Sequence, residues 1–148
     1  MERKRLSELH PLPAAVSVGA DESIEGLVQA ALDHPEAHDI CVVDGRGRLV
    51  GVVNIKALFR TVFCHHTDPH LMVRDLIRLA SSEVAGDIMV TDPVVALETE
   101  TLGEAVGKMV AHELGELPVV DEGKRVVGSL SIRDVFREWL DIEIRRRQ

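Results

Sequence analysis

Apolar residues run along this chain in two rhythms. Short unbroken or nearly unbroken runs cover 14–18, 40–43, 49–53, 94–97 and 117–120, and another begins at Val126; their length is that of strands. Ile40-Cys41-Val42-Val43 is continuous enough to be a strand covered on both faces. Between the runs, apolar residues return at three- and four-residue spacing. Ile24, Leu27, Val28, Ala31 and Leu32 form one such stripe, and Ile55, Leu58, Phe59 and Val62 a second. Ala105, Met109, Val110 and Leu114 form a third, and Ile132, Val135, Phe136, Trp139 and Leu140 a fourth. Each predicts a helix with one buried face. Polar residues punctuate the pattern consistently. Asp44-Gly45-Arg46-Gly47 and Asp121-Glu122-Gly123 supply tight turns. Ser23, Asn54, Thr101 and Ser131 stand at helix starts, and Glu104 and Asp134 lie three residues beyond the last two, in capping-box spacing.

The order β-α-β-β-α therefore occurs twice, and the two copies align. Val16, Ser23 and Ile24 match Val94, Thr101 and Leu102, each 78 positions on. Val42-Val43-Asp44 matches Val119-Val120-Asp121, and Gly51, Ile55 and Phe59 match Gly128, Ile132 and Phe136, each 77 on. This divides the chain into a lead-in at 1–13, a first repeat at 14–60, a helical connector at 61–85 and a second repeat at 86–148. Residues 1–8 carry mixed charge and little pattern. Repeats this short cannot bury their own faces, so the expected fold is α/β (α+β), with the repeats packed about a pseudo-twofold axis. Two clefts follow, each bordered by one strand-to-helix junction.

Composition narrows the chemistry. The chain has 148 residues and a net charge of −8, and only 3% of it is aromatic, with one Trp and no Tyr. An acidic chain without stacking platforms is a poor nucleic-acid partner. No run of about eighteen apolar residues is present, so the expectation is a cytoplasmic protein without membrane insertion. Two cysteines, Cys41 and Cys64, are too few for a disulfide framework. Cys64-His65-His66-Thr67-Asp68-Pro69-His70 offers soft and borderline ligands of the kind Zn²⁺ accepts. No second ligand pair accompanies it, and a proline-broken surface connector is the plainer reading, so no metal site is assigned. Cys41 sits in an apolar strand with no basic neighbour. Ser129, Ser131 and His112 lack a nucleophile-elbow glycine pattern. Enzymatic activity is not expected.

The repeated motifs resemble the cystathionine-β-synthase (CBS) domain, which occurs in pairs as the Bateman module. Asp87-Ile88-Met89-Val90-Thr91-Asp92-Pro93-Val94 is similar to the family's lead-in. Thr101 to Ala105, Met109, Leu117-Pro118-Val119-Val120-Asp121 and Gly128-Ser129-Leu130-Ser131-Ile132-Arg133-Asp134 continue it. The resemblance covers roughly 14–59 and 86–140. It implies a stand-alone regulatory module for adenosine-type ligands: AMP, ADP, ATP, S-adenosylmethionine or relatives. It implies that Ser131 contacts ribose or phosphate and that Asp134 holds the two ribose hydroxyls. An ionised carboxylate suits a vicinal diol, because it accepts two hydrogen bonds. The backbone edge at Leu117-Pro118-Val119 would meet adenine, with Met89, Pro93 and Val94 as apolar walls and Thr91 beside them.

The first repeat departs from this pattern. Asn54 and Ala57 replace Ser131 and Asp134, and Cys41 replaces Pro118, so one ribose site is expected, not two. Where family members often place a phosphate-gripping His and Arg, this chain has Gly115 and Glu116, and His38 and Asp39 in the first repeat. Lys56, Arg60 and Arg133 are the cations that could offset Asp39 and Glu116. Trp139 with Phe136 and Leu140 reads either as a lid on its own core or as a homodimer face of the sort such modules use. The expected partners are a second copy, a small adenosine-type ligand and an unknown regulated protein. The competing readings are a ligand-free dimerisation scaffold and the cytosolic regulatory module of a Mg²⁺ transporter.

Overall fold

Both repeats form the expected β-α-β-β-α units, and each unit is completed by a piece of chain from outside its own repeat. The computed structural model describes residues 3–9, 12–64 and 81–148. It divides into one contiguous unit, 16–93, and one that joins 1–15 to 94–148. The first contains β1 (Ser17–Gly19), α1 (Ile24–Asp33), β2 (Asp39–Val43), β3 (Leu49–Asn54), α2 (Ile55–Val62) and the short α3 (Ala85–Ile88). The second contains a 3₁₀ turn (Leu6–Glu8), β4 (Ala96–Leu97), α4 (Leu102–Ala111), β5 (Glu116–Val120), β6 (Val126–Ser131) and α5 (Ile132–Arg147). The connector histidines fall outside the described residues.

Each unit holds a mixed three-stranded sheet, ordered β1-β2-β3 and β4-β5-β6, in which the first strand is parallel and the third antiparallel to the central one. The two hairpins share one irregularity, at Val42/Val43 and at Val119/Val120. Both turns are built on an aspartate. Asp44 accepts from the backbone N–H groups of Arg48 (3.0 Å) and Arg46 (2.9 Å), which hold its carboxyl below the usual carboxylate range. Asp121 accepts from Gly123 and Arg125 (2.9 Å each). In the left-handed position of these turns, the first uses Gly47 (φ 77°) and the second Lys124 (φ 65°).

The helix starts follow their caps. Ser23 accepts from Gly26 N–H (3.0 Å), Asn54 from Lys56 N–H (2.9 Å) and Thr101 from Glu104 N–H (3.2 Å). The core of one unit is Leu27, Ile40, Val42, Val53, Leu58 and Ala85. That of the other is Leu6, Ala96, Leu102, Ala105, Met109, Leu117, Val119 and Leu130.

Leu6 and Ala85 occupy matching places in these cores, and both arrive from a preceding lead-in. Leu6 N–H donates to Glu100 O (2.9 Å), Ser7 N–H to Glu98 O (2.9 Å), and Leu102 N–H to Lys4 O (2.6 Å). In the other unit Ala85 N–H donates to Glu22 O (2.8 Å), Gly86 N–H to Ala20 O (2.8 Å), and Ile24 N–H to Glu83 O (3.3 Å). Asp87 pins this second strap by accepting from Glu83 N–H (2.9 Å) and Val84 N–H (3.1 Å), which lowers its pKa. The patternless first residues thus seal a core.

All four helical stripes are less buried than their spacing predicts, and on α4 the exposed member is Val110. On α1 and α2, Leu32 and Phe59 are exposed, and Phe59 meets Phe63 at a ring-centroid distance of 5.0 Å. On α5 only Val135 packs against the core, while Ile132, Phe136, Trp139, Leu140 and Ile144 lie exposed. The reason is length and position: the two turns of α2 pack on the core through Leu58, Ile55 and Val62 and leave Phe59 outside, and α5 continues well past its sheet.

Candidate functional site

The candidate site begins with the register of the β5–β6 hairpin. Glu116 pairs with Ser131, Leu117 with Leu130 and Pro118 with Ser129. Leu117, Val119 and Leu130 belong to the core. Side chains alternate along a strand, so Glu116, Pro118, Ser129 and Ser131 share the opposite face. On that face Ser129 Oγ donates to Glu116 Oε1 at 2.6 Å, and both residues are buried, Ser129 at 6% and Glu116 at 8% exposure. Ile132 N–H donates back to Gly115 O (3.1 Å), which fixes where α5 leaves the sheet.

Ser131 ends β6 and caps α5. Its Oγ accepts from Asp134 N–H (3.2 Å) and donates to Asp134 Oδ2 (2.8 Å). The same Oδ2 accepts from Ser131 N–H (2.8 Å), completing a reciprocal capping box. Oδ1 accepts from Arg137 Nη1 at 2.9 Å. The Asp134 side chain keeps 15% of its surface, whereas Arg137 keeps 71%. The carboxylate is therefore held rigidly at one oxygen and loosely at the other. An exposed ion pair of this kind contributes about 0–1 kcal/mol, so a competing hydroxyl can displace it.

The remaining predicted residues fall into two groups. Val94, Leu117, Pro118 and Arg133 lie in the same unit as Ser131 and Asp134. Leu117 and Val94 turn their side chains to the core, Pro118 is buried opposite Ser129, and Arg133 is exposed on the first turn of α5. β4 pairs only with Val119 and Val120, so its ladder stops before Pro118, while every residue of β5 is buried. Met89, Thr91 and Pro93 belong to the other unit. There Met89 lies on Gly51, where a Cβ would come within 2.6 Å of its Sδ, and Val90 pairs with Val52 through hydrogen bonds of 2.8 and 3.0 Å. Thr91 is exposed.

In the Ser131 unit the equivalent places are taken by Leu12 and Pro13. A Cβ on Gly128 would come within 2.5 Å of Leu12 Cδ2, and Ser129 N–H donates to Pro13 O (2.9 Å). Sequence reasoning missed these two residues. The available signal was the pairing of Gly51 with Gly128, since both glycines make room for a strap.

The first repeat builds a different junction. Asn54 caps α2 through Lys56 N–H and donates its Nδ2 to Asp39 Oδ1 (3.0 Å). Ala57, three residues on, supplies no carboxylate. Among the described residues no group of three or more His, Cys, Asp or Glu could hold a metal ion. Of the Cys64–His70 cluster only Cys64 is described. Elsewhere in the Ser131 unit, an open apolar groove of about 450 Å³ runs between α4 and α5, lined by Val106, Met109, Val110, Ile132 and Phe136 among others.

The model of the CBS domain family matches the chain twice, over residues 6–63 and 85–141. Among curated relatives, inosine-5'-monophosphate dehydrogenase of Nitrosopumilus maritimus is 30% identical over 122 residues, 80% of this chain and 21% of its own length. The magnesium transporter MgtE of Thermus thermophilus is 31% identical over 117 residues, 78% of this chain and 22% of its own. The chain thus spans about a fifth of the length of these relatives. Among solved structures, CBSX2 of Arabidopsis thaliana in complex with AMP has a TM-score of 0.73 at 22% identity, covering 95% of this chain and 98% of that one. The CBS domain pair of MJ0100, in complex with 5'-methylthioadenosine and S-adenosyl-L-methionine, has a TM-score of 0.71 at 20% identity, covering 93% and 96%. The cytosolic domain of the Mg²⁺ channel MgtE in complex with ATP has a TM-score of 0.64 at 26% identity, covering 84% and 45%.

Proposed function

Because this chain belongs to the CBS-domain family, as a pair of repeats, we propose that it is a regulatory module that binds one adenosine-type ligand beside Ser131 and Asp134. The observation that carries the reading is the asymmetry between the repeats. Only the second places a carboxylate, Asp134, at the N-terminus of the helix that follows its hairpin; the first has Ala57 there. Asp134 Oδ1 would accept from the ribose hydroxyls once Arg137 swings aside, and Ser131 Oγ would turn to the ligand. The edge of β5 at Leu117 and Pro118, beyond the end of the β4 ladder, would offer backbone carbonyl groups to the base. Relatives whose structures hold AMP, ATP, 5'-methylthioadenosine or S-adenosylmethionine support the ligand class. The module acts by binding the ligand more tightly in one conformation or association state than in another, which a regulated partner protein then reads.

The exposed stripe of Ile132, Phe136, Trp139, Leu140 and Ile144 on α5 supports self-association into a homodimer through that face. Similarity to MgtE supports a cation transporter as one class of regulated partner.

A thermal-shift panel of adenosine, AMP, ADP, ATP, NAD and S-adenosylmethionine, with and without Mg²⁺, tests the ligand. At about 100 times its Kd a ligand adds about 2.7 kcal/mol of stability. Asp134→Ala should remove the shift and Ala57→Asp should leave it. A shift that survives Asp134→Ala overturns the site, and silence across the panel favours the ligand-free scaffold.

A further inference from the structure

We propose that the N-terminal strap, described at 4–9 and 12–13, positions the Ser131–Asp134 junction, so that docking of the strap and occupation of the site stabilise each other. The positioning itself needs no ligand; the coupling rests on the reading that an adenosine-type ligand binds beside Ser131 and Asp134.

The strap holds the junction from three directions. On the strand side, Pro13 O accepts from Ser129 N–H (2.9 Å), two residues before Ser131. Leu12 lies over Gly128, where a Cβ would come within 2.5 Å of its Cδ2. On the helix side, Lys4 Nζ donates to Glu138 Oε1 at 2.9 Å, one turn beyond Asp134. Beneath the junction, Leu6, Leu9 and Leu12 join the core on which Val135 packs, and Val135 follows Asp134 directly in the chain. The strap is locked in turn to the start of α4. Leu6 N–H and Ser7 N–H donate to Glu100 O and Glu98 O (2.9 Å each), Leu102 N–H to Lys4 O (2.6 Å), and Arg5 Nη1 to Thr99 O (3.0 Å).

α5 depends on this hold because, among the described residues, Val135 is its one side chain packed on the core. In the other unit α2 is seated by Ile55, Leu58 and Val62 instead. Any opening that frees the strap takes Leu12 and Pro13 from β6 and Lys4 from α5, and Ser131 and Asp134 lose their fixed geometry. A ligand that needs that geometry binds only the docked form. By linkage it suppresses opening by the factor 1 + [L]/Kd, about a hundredfold at 100 times Kd, and undocking weakens the ligand through the same coupling.

Hydrogen exchange of single amides, read by NMR on the full chain, tests both halves. Without ligand, Lys4→Glu sets a like charge against Glu138, which shifts a local equilibrium roughly three- to tenfold. Exchange at the Ser131, Ile132 and Asp134 amides should therefore rise at least threefold. The Met109 and Val119 amides, in the same core but away from the junction, should stay within twofold. Adding Glu138→Lys restores an ion pair and should return the junction to within twofold of the unaltered protein. A rise below threefold, a uniform rise across the unit, or a double variant that stays fast overturns the proposal. With AMP or S-adenosylmethionine at about 100 times the measured Kd, the Leu6 and Ser7 amides should slow at least tenfold, together with those of Ser131 and Asp134. If the junction slows and the strap does not, the coupling is refuted. If neither ligand slows the junction, the reading of the ligand site fails, and the Lys4 and Glu138 variants still decide whether the strap positions the junction.

Discussion

Asp134 stabilises α5 before any ligand arrives, and Asp134→Ala measures by how much. The substitution removes the acceptor of Ser131 N–H and Oγ, both at 2.8 Å, and the partner of Arg137 at 2.9 Å. A cap of this type is worth about 1 kcal/mol. A carboxylate in the first turn adds about 0.3–1 kcal/mol through the helix dipole. The Arg137 pair is exposed and adds about 0–0.5 kcal/mol. The expected loss is about 2 kcal/mol, and for a chain of this size that lowers Tm by about 4–8 °C. The fold should persist, because α2 starts at Asn54 with Ala57 in the same place and still forms. Thermal and urea unfolding followed by circular dichroism give the number. A double-mutant cycle with Ser131→Ala tests the cause. The two side chains serve each other reciprocally, so the double variant should lose about 0.5–1.5 kcal/mol less than the two single losses combined. A loss below about 0.5 kcal/mol, or strictly additive losses, would refute the reciprocal box.

Gly128→Ala should cost about 1–3 kcal/mol in unfolding free energy, since its Cβ would strike Leu12 and come within 3.0 Å of Pro13 O; adding Leu12→Ala should recover part of that loss. Lys124→Gly should raise Tm by about 1–3 °C, because glycine adopts the left-handed backbone (φ 65°) that lysine holds at a cost, as Gly47 does in the matching turn. Asp87→Asn should flatten the acid limb of stability. The folded-state pKa of Asp87 is lowered from its ordinary value of 3.8, so its contribution is present above that pH and is lost as pH falls through the folded-state value. Unfolding midpoints of the two proteins should then converge toward low pH, and parallel curves would refute the assignment.

Local signals made the repeat readable. The caps at Ser23, Asn54, Thr101 and Ser131 each announce a helix within one turn, and Asp44 and Asp121 each announce a hairpin within four residues. What stayed hidden depends on residues far apart in the chain. Leu6 is one apolar residue in a charged stretch, and only its docking against Leu102 and Met109 makes it core. Periodicity placed Phe59 and Phe136 on stripes without showing that nothing in the described chain covers them. Glu116 was legible as a charge in an awkward place. Its confinement was not, because that requires knowing that Ser129 lies across the hairpin, thirteen residues on.

The straps also impose an order on assembly. Residues 16–93 are contiguous, so their core can close as soon as the ribosome has released them. The core around Leu6 cannot, because α4, β5 and β6 come from residues 102–131. At about 5–20 residues per second, Leu6 waits roughly 6–25 s as an apolar side chain without a socket. Leu6 and Leu130 then meet in one core, and the Ser131–Asp134 junction forms after the core of residues 16–93 can close. A nascent chain thus completes the junction with Ala57 before it completes the one that carries Asp134.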